Sequence, residues 1–368
     1  MTAPNRRVSR QIAVGKVLIG GNAPVSVQSM CNTDTRDVEA TLKQIRTLAA
    51  RGCEIIRLAV PDMSAAHALG SIVESSPIPV IADIHFDHRL ALAAIENHVA
   101  AIRLNPGNLT DADAIRQVAE LAVKTNTPIR VGANGGSVRA NLLKELRTQL
   151  PPDEAMAEAL VQSALHECSL LEKFGVTQLK VALKSSSVPV TLAAYRKFAD
   201  RTDYPLHIGI TEAGTFYRGI IKSAVGIGSL LSQGIGDTLR VSLTADPAEE
   251  VTAGIRILEA LGLRDASPEL VSCPTCGRTE INLIELADRV ENLVDSLKSS
   301  GKKINLSKIA VMGCAVNGPG EARDADLGIA GSKSGQILVF AKGKVLGAFE
   351  EEAGFAFFKD ELLKHCGE

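Results

Sequence analysis

Short apolar runs alternate with longer segments of helical periodicity between about residue 25 and residue 265. Each run is rich in Val, Ile and Leu, whereas segments such as 36–52 place apolar residues at the spacing of one helix face. Strands that alternate with helices indicate parallel pairing through right-handed crossovers. The pattern predicts eight strands, at 25–30, 54–60, 79–85, 101–107, 128–134, 178–184, 205–211 and 237–243.

Eight strand–helix units in about 240 residues have the count and the length of a TIM barrel. An open doubly wound sheet is the alternative architecture. It normally has a Gly-rich fingerprint directly after its first strand, and the segment VSVQSMCNTDT at 25–35 has none. We therefore predict an α/β fold with a TIM (β/α)8 barrel. The segment 10–21 predicts a short hairpin that closes the bottom of this barrel.

The pattern changes after about residue 265. A CPTCGR motif is followed by an amphipathic helix at 281–300, an apolar strand, a Gly-rich loop at 317–328, two more strand-like runs and a terminal helix. This order predicts a smaller α+β domain. The predicted domains are therefore a TIM barrel at 1–265 and an α+β domain at 266–368, with 261–272 as the linker.

Composition adds the class of protein and the redox setting. The chain is 45% hydrophobic and 22% charged, which is typical of a globular protein. Its 40 basic and 42 acidic residues lack the basic excess of a nucleic-acid-binding domain. We see neither a signal peptide nor a membrane span and expect a cytoplasmic protein. In a reducing compartment the seven cysteines are not expected to form disulfides, so their spacing points to metal chemistry.

Three cysteines of the second domain have motif-like surroundings. Cys273 and Cys276 form a CPTC turn on which two thiolates can bind one metal centre, and Cys314 follows in GCAVNGPGE. A structural zinc site needs a fourth Cys or His, but the only His of this domain, His365, lies near its end. Glu321, seven residues after Cys314, is therefore the best candidate for a fourth ligand.

A carboxylate is held less tightly by iron than a thiolate, so a centre with three thiolates and one carboxylate has an iron that can open to substrate. An electron-transfer cluster usually has four thiolates. For the CPTC motif alone, a zinc knuckle or a pair of buried thiols is the alternative. The remaining cysteines are not expected to be ligands: Cys31, Cys53 and Cys168 lie in or beside barrel elements, and Cys366 lies in a frayed C-terminal tail.

Residues at the carboxyl ends of the strands line the active site of a TIM barrel. Basic residues from five predicted strands occupy these positions, and Arg is well suited to binding phosphate. The Gly-rich loops 105–108 and 132–137 add backbone N–H groups that can approach a ligand. The strand-end residues are Arg57, Asp83, His85, Arg103, Asn105, Arg130, Asn134, Lys180, Lys184, His207, Glu212, Arg240 and Ser242.

We predict from this set a site for a diphosphate-type anion. Asp83 and Glu212 are the acid–base candidates, and nearby positive charge should keep both ionised while the site is empty. Their alternative role is to pair with Arg57 or Arg103 and fix these side chains in place.

With these motifs the sequence resembles the 4-hydroxy-3-methylbut-2-enyl diphosphate synthase family of the non-mevalonate isoprenoid pathway, in its two-domain bacterial form. The segments that carry the resemblance run from about residue 25 to residue 322 and include IADIHFDHRLA, IRVGANGGS, LKVALKSSS, HIGITEAGT, SCPTCGRTEIN and VMGCAVNGPGEA. The resemblance implies an oxidoreductase that opens and dehydrates 2-C-methyl-D-erythritol 2,4-cyclodiphosphate. It also implies a homodimer, and an electron donor that is either flavodoxin or ferredoxin.

The resemblance assigns roles to individual residues. It implies a 4Fe-4S cluster bound by Cys273, Cys276, Cys314 and Glu321. It places Asp83 and Glu212 beside the reacting carbons, and our hypothesis is that Glu321 gives way to the substrate oxygen while Glu212 donates a proton. The implied substrate-binding residues are Arg57, Arg103, Arg130, Asn134, Lys184 and Ser242, with His207 as a further candidate at a strand end.

Two other classes of enzyme compete with this interpretation. Lys184 at the end of a strand would suit a Schiff-base aldolase, in which an amine is the nucleophile. A pterin-dependent methyl-transfer barrel with a zinc-stabilised C-terminal module is the second alternative. The reductase prediction requires iron and sulfide in the second domain, whereas neither alternative does.

Overall fold

The computed structural model describes residues 6–85, 87–104, 111–136, 138–332 and 335–367, without the side chains of Pro319 and Glu321. The chain forms two compact units, Met1–Arg264 and Asp265–Glu368. No helix among these described residues is long and apolar enough to cross a bilayer.

The first unit begins with a hairpin and continues with a ring of parallel strands. The hairpin consists of β1 (Ile12–Val14) and β2 (Val17–Ile19), which pair antiparallel as predicted. The eight strands of the ring are β3 (Ser26–Met30), β4 (Ile55–Ala59), β5 (Val80–Asp83), β6 (Ala101–Arg103), β7 (Ile129–Asn134), β8 (Leu179–Lys184), β9 (His207–Ile208) and β10 (Thr238–Leu239).

These strands are hydrogen-bonded in the order β8-β7-β6-β5-β4-β3-β10-β9. A parallel bridge between Val181 of β8 and Leu206, just before β9, joins the two ends of this sheet and closes the ring. The predicted α/β barrel of eight parallel strands is therefore confirmed. All eight predicted strands are present, although β9 and β10 contain only two residues each.

The helices of this unit follow the strands, and several begin directly after a capping aspartate. Asp37, Asp62, Asp87, Asp111 and Asp246 each accept a hydrogen bond from a backbone N–H of the first helical turn. The helices are α1 (Val38–Ala50), α2 (Met63–Ser75), α3 (His88–Glu96), α4 (Ala112–Thr125), α5 (Ala140–Leu146), α6 (Pro152–Glu172), α7 (Val188–Arg201), α8 (Phe216–Leu231) and α9 (Pro247–Ala260).

The hairpin closes the amino-terminal end of the barrel. Ile12, Val14 and Ile19 form one buried cluster with Ile55, Ile81 and Ala101, which are first or second residues of β4, β5 and β6. The amino-terminal end of the barrel is therefore filled by apolar side chains. The polar side chains lie at the carboxyl ends of the strands, where the active sites of such barrels are found.

The second unit contains a mixed five-stranded sheet in the order β11-β13-β14-β15-β16. Helices α10 (Leu283–Ser299) and α11 (Glu351–Lys364) contribute Leu286, Val290, Phe358 and Leu362 to its core. The strands are β11 (Glu269–Ser272), β12 (Lys303–Ile304), β13 (Lys308–Met312), β14 (Leu327–Gly331), β15 (Ile337–Ala341), β16 (Lys344–Phe349) and β17 (Cys366–Gly367).

Three details of the second unit differ from the sequence prediction. The end of the predicted linker is β11, which pairs parallel with β13 and is part of the sheet. The Gly-rich segment contains a π-helix at Val316–Glu321. Cys366 is not in a frayed tail, because β17 pairs with β12 and Cys366 packs against the core. The two strands were not predicted because pairing with distant strands supplies their stability.

Candidate active site

A cavity of about 210 Å³ lies at the carboxyl ends of the barrel strands. Most of the predicted strand-end residues meet there, because parallel strands in a closed ring bring their ends together. The residues that line it are Arg57, Asp83, His85, Arg103, Arg130, Gly132, Ala133, Asn134, Lys184, Thr211, Arg240 and Ser242. Asn105 and the loop 105–108 lie outside the described residues, as does Ser137.

Asp83 lies between two arginines at the edge of the cavity. Its carboxylate is 3.1 Å from Arg103 Nη1 and 3.6 Å from Arg57 Nε, and His85 Nε2 is also 3.6 Å away. Burial alone would raise the pKa of Asp83, but Arg57, His85 and Arg103 together hold this pKa well below its ordinary value. Asp83 is therefore ionised in the free protein and fixes the arginines, which is the alternative role considered from the sequence.

Arg130 is the most deeply buried cation of the site. It is 5% exposed, and its Nε and Nη1 atoms have no hydrogen-bond partner among the described residues. Burial lowers the pKa of Arg130, and the neighbouring Arg57 and Arg103 lower it further. Since a guanidinium stays protonated in proteins, this buried charge is unfavourable until an anionic ligand binds to it.

Lys184 and His207 form a hydrogen-bonded pair beneath the cavity. Lys184 Nζ is 3.2 Å from His207 Nε2, and both side chains are buried. Burial, followed by the charges of Arg130 and its neighbours, lowers the pKa of Lys184, while burial and then Lys184 lower that of His207. His207 is therefore neutral at pH 7 and does not line the cavity itself. Its contact with Lys184 makes it a supporting residue.

Two predicted rim residues lie elsewhere. Lys180 is completely buried inside the barrel, four residues before Lys184 on β8, and does not line the cavity. Lys180 is the second residue of β8, so it points into the barrel nearer the amino-terminal end than Lys184 does. The local sequence did not show this depth. Glu212 is exposed on the turn after β9, in a left-handed conformation with φ of 50°, and is not among the lining residues.

Glu250 is a residue that the sequence analysis missed. It is 4% exposed, and its carboxylate accepts hydrogen bonds from the Arg240 guanidinium at 3.2 and 3.3 Å. Glu249 and Glu250 both occupy the first turn of α9, where acidic residues are common at any helix start. The sequence thus carried no signal that one of them reaches the site.

Cys273 and Cys314 of the second unit are free thiols at neighbouring strand ends. Cys273 follows β11 and Cys314 lies two residues beyond β13, and the backbone N–H of Gly313 donates to Cys273 Sγ at 3.1 Å. Cys276 is exposed, and a hydrogen bond from the Arg278 backbone lowers the pKa of its thiol. A thiol that ionises readily and N–H donors to sulfur suit an iron–sulfur cluster.

This donor set fits a thiolate-bound metal in its chemistry. Among the residues with described side chains, no group of three His, Cys, Asp or Glu stands in metal-binding geometry. The side chain of Glu321 lies outside that description, although its backbone ends the π-helix that follows Cys314. Cys53 and Cys168 are buried in the core as expected, Cys31 is buried as well, and burial raises the pKa of each thiol.

The fold and the cavity define a TIM-barrel protein with a cationic site for a small anion, followed by a cysteine-bearing α+β unit. Comparison with known families gives the particular group. The GcpE TIM-barrel domain matches residues 9–255, and the GcpE protein C-terminal domain matches residues 269–364. The chain therefore belongs to the GcpE family.

Relatives with high identity share one name, 4-hydroxy-3-methylbut-2-en-1-yl diphosphate synthase (flavodoxin). The protein of Geobacter sulfurreducens is 56% identical over 338 residues, which is 92% of each chain. The protein of Ruminiclostridium cellulolyticum is 48% identical over 363 residues, covering 99% of this chain and 98% of its own. The protein of Desulfotalea psychrophila is 50% identical over 358 residues, covering 97% and 96%.

The family inferred from the sequence motifs is thus confirmed, and the activity implied by the resemblance is the one in these names. The matches favour the reductase prediction over the aldolase and the pterin-dependent alternatives.

Proposed function

We propose that this protein catalyses the reductive ring opening and dehydration of 2-C-methyl-D-erythritol 2,4-cyclodiphosphate to 4-hydroxy-3-methylbut-2-enyl diphosphate. The observation that carries the proposal is the charge of the cavity. The guanidinium groups of Arg57, Arg103, Arg130 and Arg240 and the amine of Lys184 line it, and among the described residues Asp83 contributes the one carboxylate. A diphosphate relieves the mutual repulsion of these cations and satisfies the unpartnered N–H groups of Arg130.

The lining residues have different roles in binding the substrate. Arg57, Arg103 and Arg130 are directed to the diphosphate by their planar donor groups, and Asn134 and Ser242 add neutral polar contacts. Lys184 adds a further donor, which His207 holds in position from below. Asp83 keeps Arg57 and Arg103 in place while the cavity is empty. Proton donation by Glu212 requires its exposed turn to approach the substrate, and this role stays a prediction.

Cys273, Cys276, Cys314 and Glu321 are the residues proposed to hold a 4Fe-4S cluster. Bound there, the cluster supplies electrons one at a time for the reductive cleavage of a C–O bond. Anaerobically purified protein should contain iron and sulfide and give an EPR signal on reduction. In a Glu321→Ala variant the cluster should assemble but be less stable. Protein without iron that keeps full activity would contradict this assignment.

The electron donor proposed here is flavodoxin, because the relatives carry that word in their names. Ferredoxin, the alternative predicted from the sequence, is distinguished by comparing turnover with each reduced carrier at equal concentration. We also propose a cytoplasmic location, because free thiols persist in a reducing compartment and both carriers work there.

A homodimer is the proposed assembly. Helix α8 exposes an apolar stripe of Tyr217, Ile221 and Val225, which are 80%, 65% and 54% exposed and spaced by four residues. A contiguous apolar face of this kind suits a contact between copies of one chain. Sedimentation analysis should show a dimer for the natural protein and a larger monomer fraction for Ile221→Lys.

The function is tested by anaerobic turnover of the cyclic diphosphate with reduced flavodoxin. We expect product from the natural protein and a loss of kcat/KM of about 10-fold to 150-fold in Arg130→Met, because removing a charged hydrogen-bond donor costs about 1.5–3 kcal/mol. Normal kcat/KM in Arg130→Met would refute the assignment of the cavity.

A further inference from the structure

Glu250 makes an unusually complete set of contacts for a carboxylate behind a binding cavity. Oε2 accepts from Arg240 Nε at 3.2 Å and from Ser29 Oγ at 3.2 Å. Oε1 accepts from Arg240 Nη2 at 3.3 Å and from the backbone N–H of Leu243 at 2.9 Å. A carboxylate has about four acceptor positions, so the described donors fill them all.

These four hydrogen bonds join three elements of the barrel unit. Ser29 belongs to β3, Arg240 and Leu243 lie at and beyond the end of β10, and Glu250 itself is in the first turn of α9. The backbone between Arg240 and Leu243 carries Ser242, which lines the cavity. One side chain therefore fixes both a lining guanidinium and the segment that presents a lining hydroxyl.

The contacts also decide which face of Arg240 meets a ligand. Nε and Nη2 donate to Glu250, whereas the one contact of Nη1 within the described part of the chain is the Met30 sulfur at 3.7 Å. The Nη1 edge is thus the part of this guanidinium that stays available to an anion in the cavity. Arg57 also contacts the Met30 sulfur, at 3.0 Å from Nη2, so the two guanidinium groups meet at one soft side chain.

We infer that Glu250 is a positioning residue for the substrate anion, acting through Arg240 and Ser242 without contacting the ligand. This inference rests on the proposal that the cavity binds a diphosphate. In a Glu250→Gln variant the amide NH2 faces donors, so the guanidinium must turn away although the side chain keeps its size. In the Arg240→Met background the same substitution can act only through the Leu243 backbone N–H and the Ser242 segment.

The test measures KM and kcat of anaerobically purified full-length protein, and pyrophosphate affinity by calorimetry. Glu250→Gln should raise KM and weaken pyrophosphate binding about 10-fold to 100-fold, with a much smaller change in kcat. Arg240→Met should do the same, and the double variant should be only slightly worse than Arg240→Met, because only the contacts with Leu243 and Ser29 remain to be lost. Glu250→Asp, which keeps the charge, should restore part of the affinity.

Glu158→Gln is the matched control, because Glu158 is also nearly buried and pairs with Arg201 at 2.8 and 3.0 Å on the outer helices α6 and α7. It should lose stability and leave KM unchanged. An unchanged KM in Glu250→Gln, or KM effects that simply multiply in the double variant, would overturn the inference.

The two proposals fail in different ways. Natural protein that binds pyrophosphate but does not convert the cyclic diphosphate would end the proposed function, and the pyrophosphate affinities of the variants would still decide the role of Glu250. Natural protein that does neither would overturn both. If Glu250→Gln does not fold, Ser29→Ala and Arg240→Met replace it, with a small and a large expected effect on pyrophosphate affinity.

Discussion

Replacing Asp83 by Asn should make the free protein less stable and make it respond more strongly to pyrophosphate. The substitution keeps the shape of the side chain and removes the one carboxylate found among the described lining residues. Arg57, Arg103 and Arg130 then face one another without this counterion, and a bound anion can compensate their charge.

The size of the effect follows from the distances. At 3.1 and 3.6 Å, and with an effective dielectric constant of about 20, each arginine interacts with Asp83 by about 5 kcal/mol. The desolvation of Asp83 offsets much of this, and breaking such a buried pair usually costs about 3–5 kcal/mol. For a unit of this size, roughly 2–4 °C per kcal/mol gives a decrease in Tm of about 10 °C.

The assay is thermal unfolding followed by tyrosine fluorescence. All three tyrosines, Tyr195, Tyr204 and Tyr217, lie in the barrel unit, and the chain has no Trp, so the signal reports on that unit alone. Pyrophosphate should raise the Tm of Asp83→Asn by more than it raises the Tm of the natural protein. In the control Glu158→Gln, which also loses contacts with two cations, pyrophosphate should act as in the natural protein.

The pH dependence gives a second check with a defined sign. The pKa of Asp83 is lower in the folded protein than in the unfolded chain, so its stabilisation is present above the unfolded value of about 4 and is lost as the pH falls below it. The two proteins should therefore converge in stability at low pH. A Tm for Asp83→Asn within 2 °C of the natural value, or a weaker response to pyrophosphate, would refute the reasoning; this tolerance is about 1 kcal/mol.

Two further predictions concern the barrel interior. Burial, then Arg130 and Arg57, lower the pKa of Lys180 from 10.5 to about 7, so the unfolded chain binds more protons between these values and stability should rise with pH across that window. Lys180→Met should remove this slope and raise the free energy of unfolding by up to about 4 kcal/mol at pH 7. Urea unfolding of both proteins across this pH range measures the effect. Parallel pH profiles of stability for the natural protein and Lys180→Met would contradict the prediction. At Gly209 an added Cβ would lie 2.7 Å from Lys184 Nζ and collide with the Arg240 carbonyl oxygen. Gly209→Ala should therefore weaken pyrophosphate binding by roughly 10-fold or more, whereas Gly228→Ala on α8, where nothing lies within 4 Å of the added methyl group, should leave it unchanged. Equal affinities in the two variants would show that Lys184 tolerates displacement.

Much of the fold could be predicted because local sequence patterns determine it. The alternation of apolar runs with helical segments fixed the number and order of the barrel strands, and aspartates mark where five of the helices begin. Strands such as β11 and β17 were missed, because two to four residues without clear periodicity pair only after distant segments meet.

The sequence by itself determined which chemical groups are available: arginines and a lysine at strand ends, and thiols in two specific motifs. Their convergence follows from one rule, that parallel strands of a closed barrel end on the same face. Tertiary structure decided what the rule leaves open. It buried Lys180, left Glu212 on an exposed turn and brought Glu250 to Arg240. These outcomes depend on strand register and helix placement, which are set by packing of the whole barrel and have no counterpart in any short stretch of sequence.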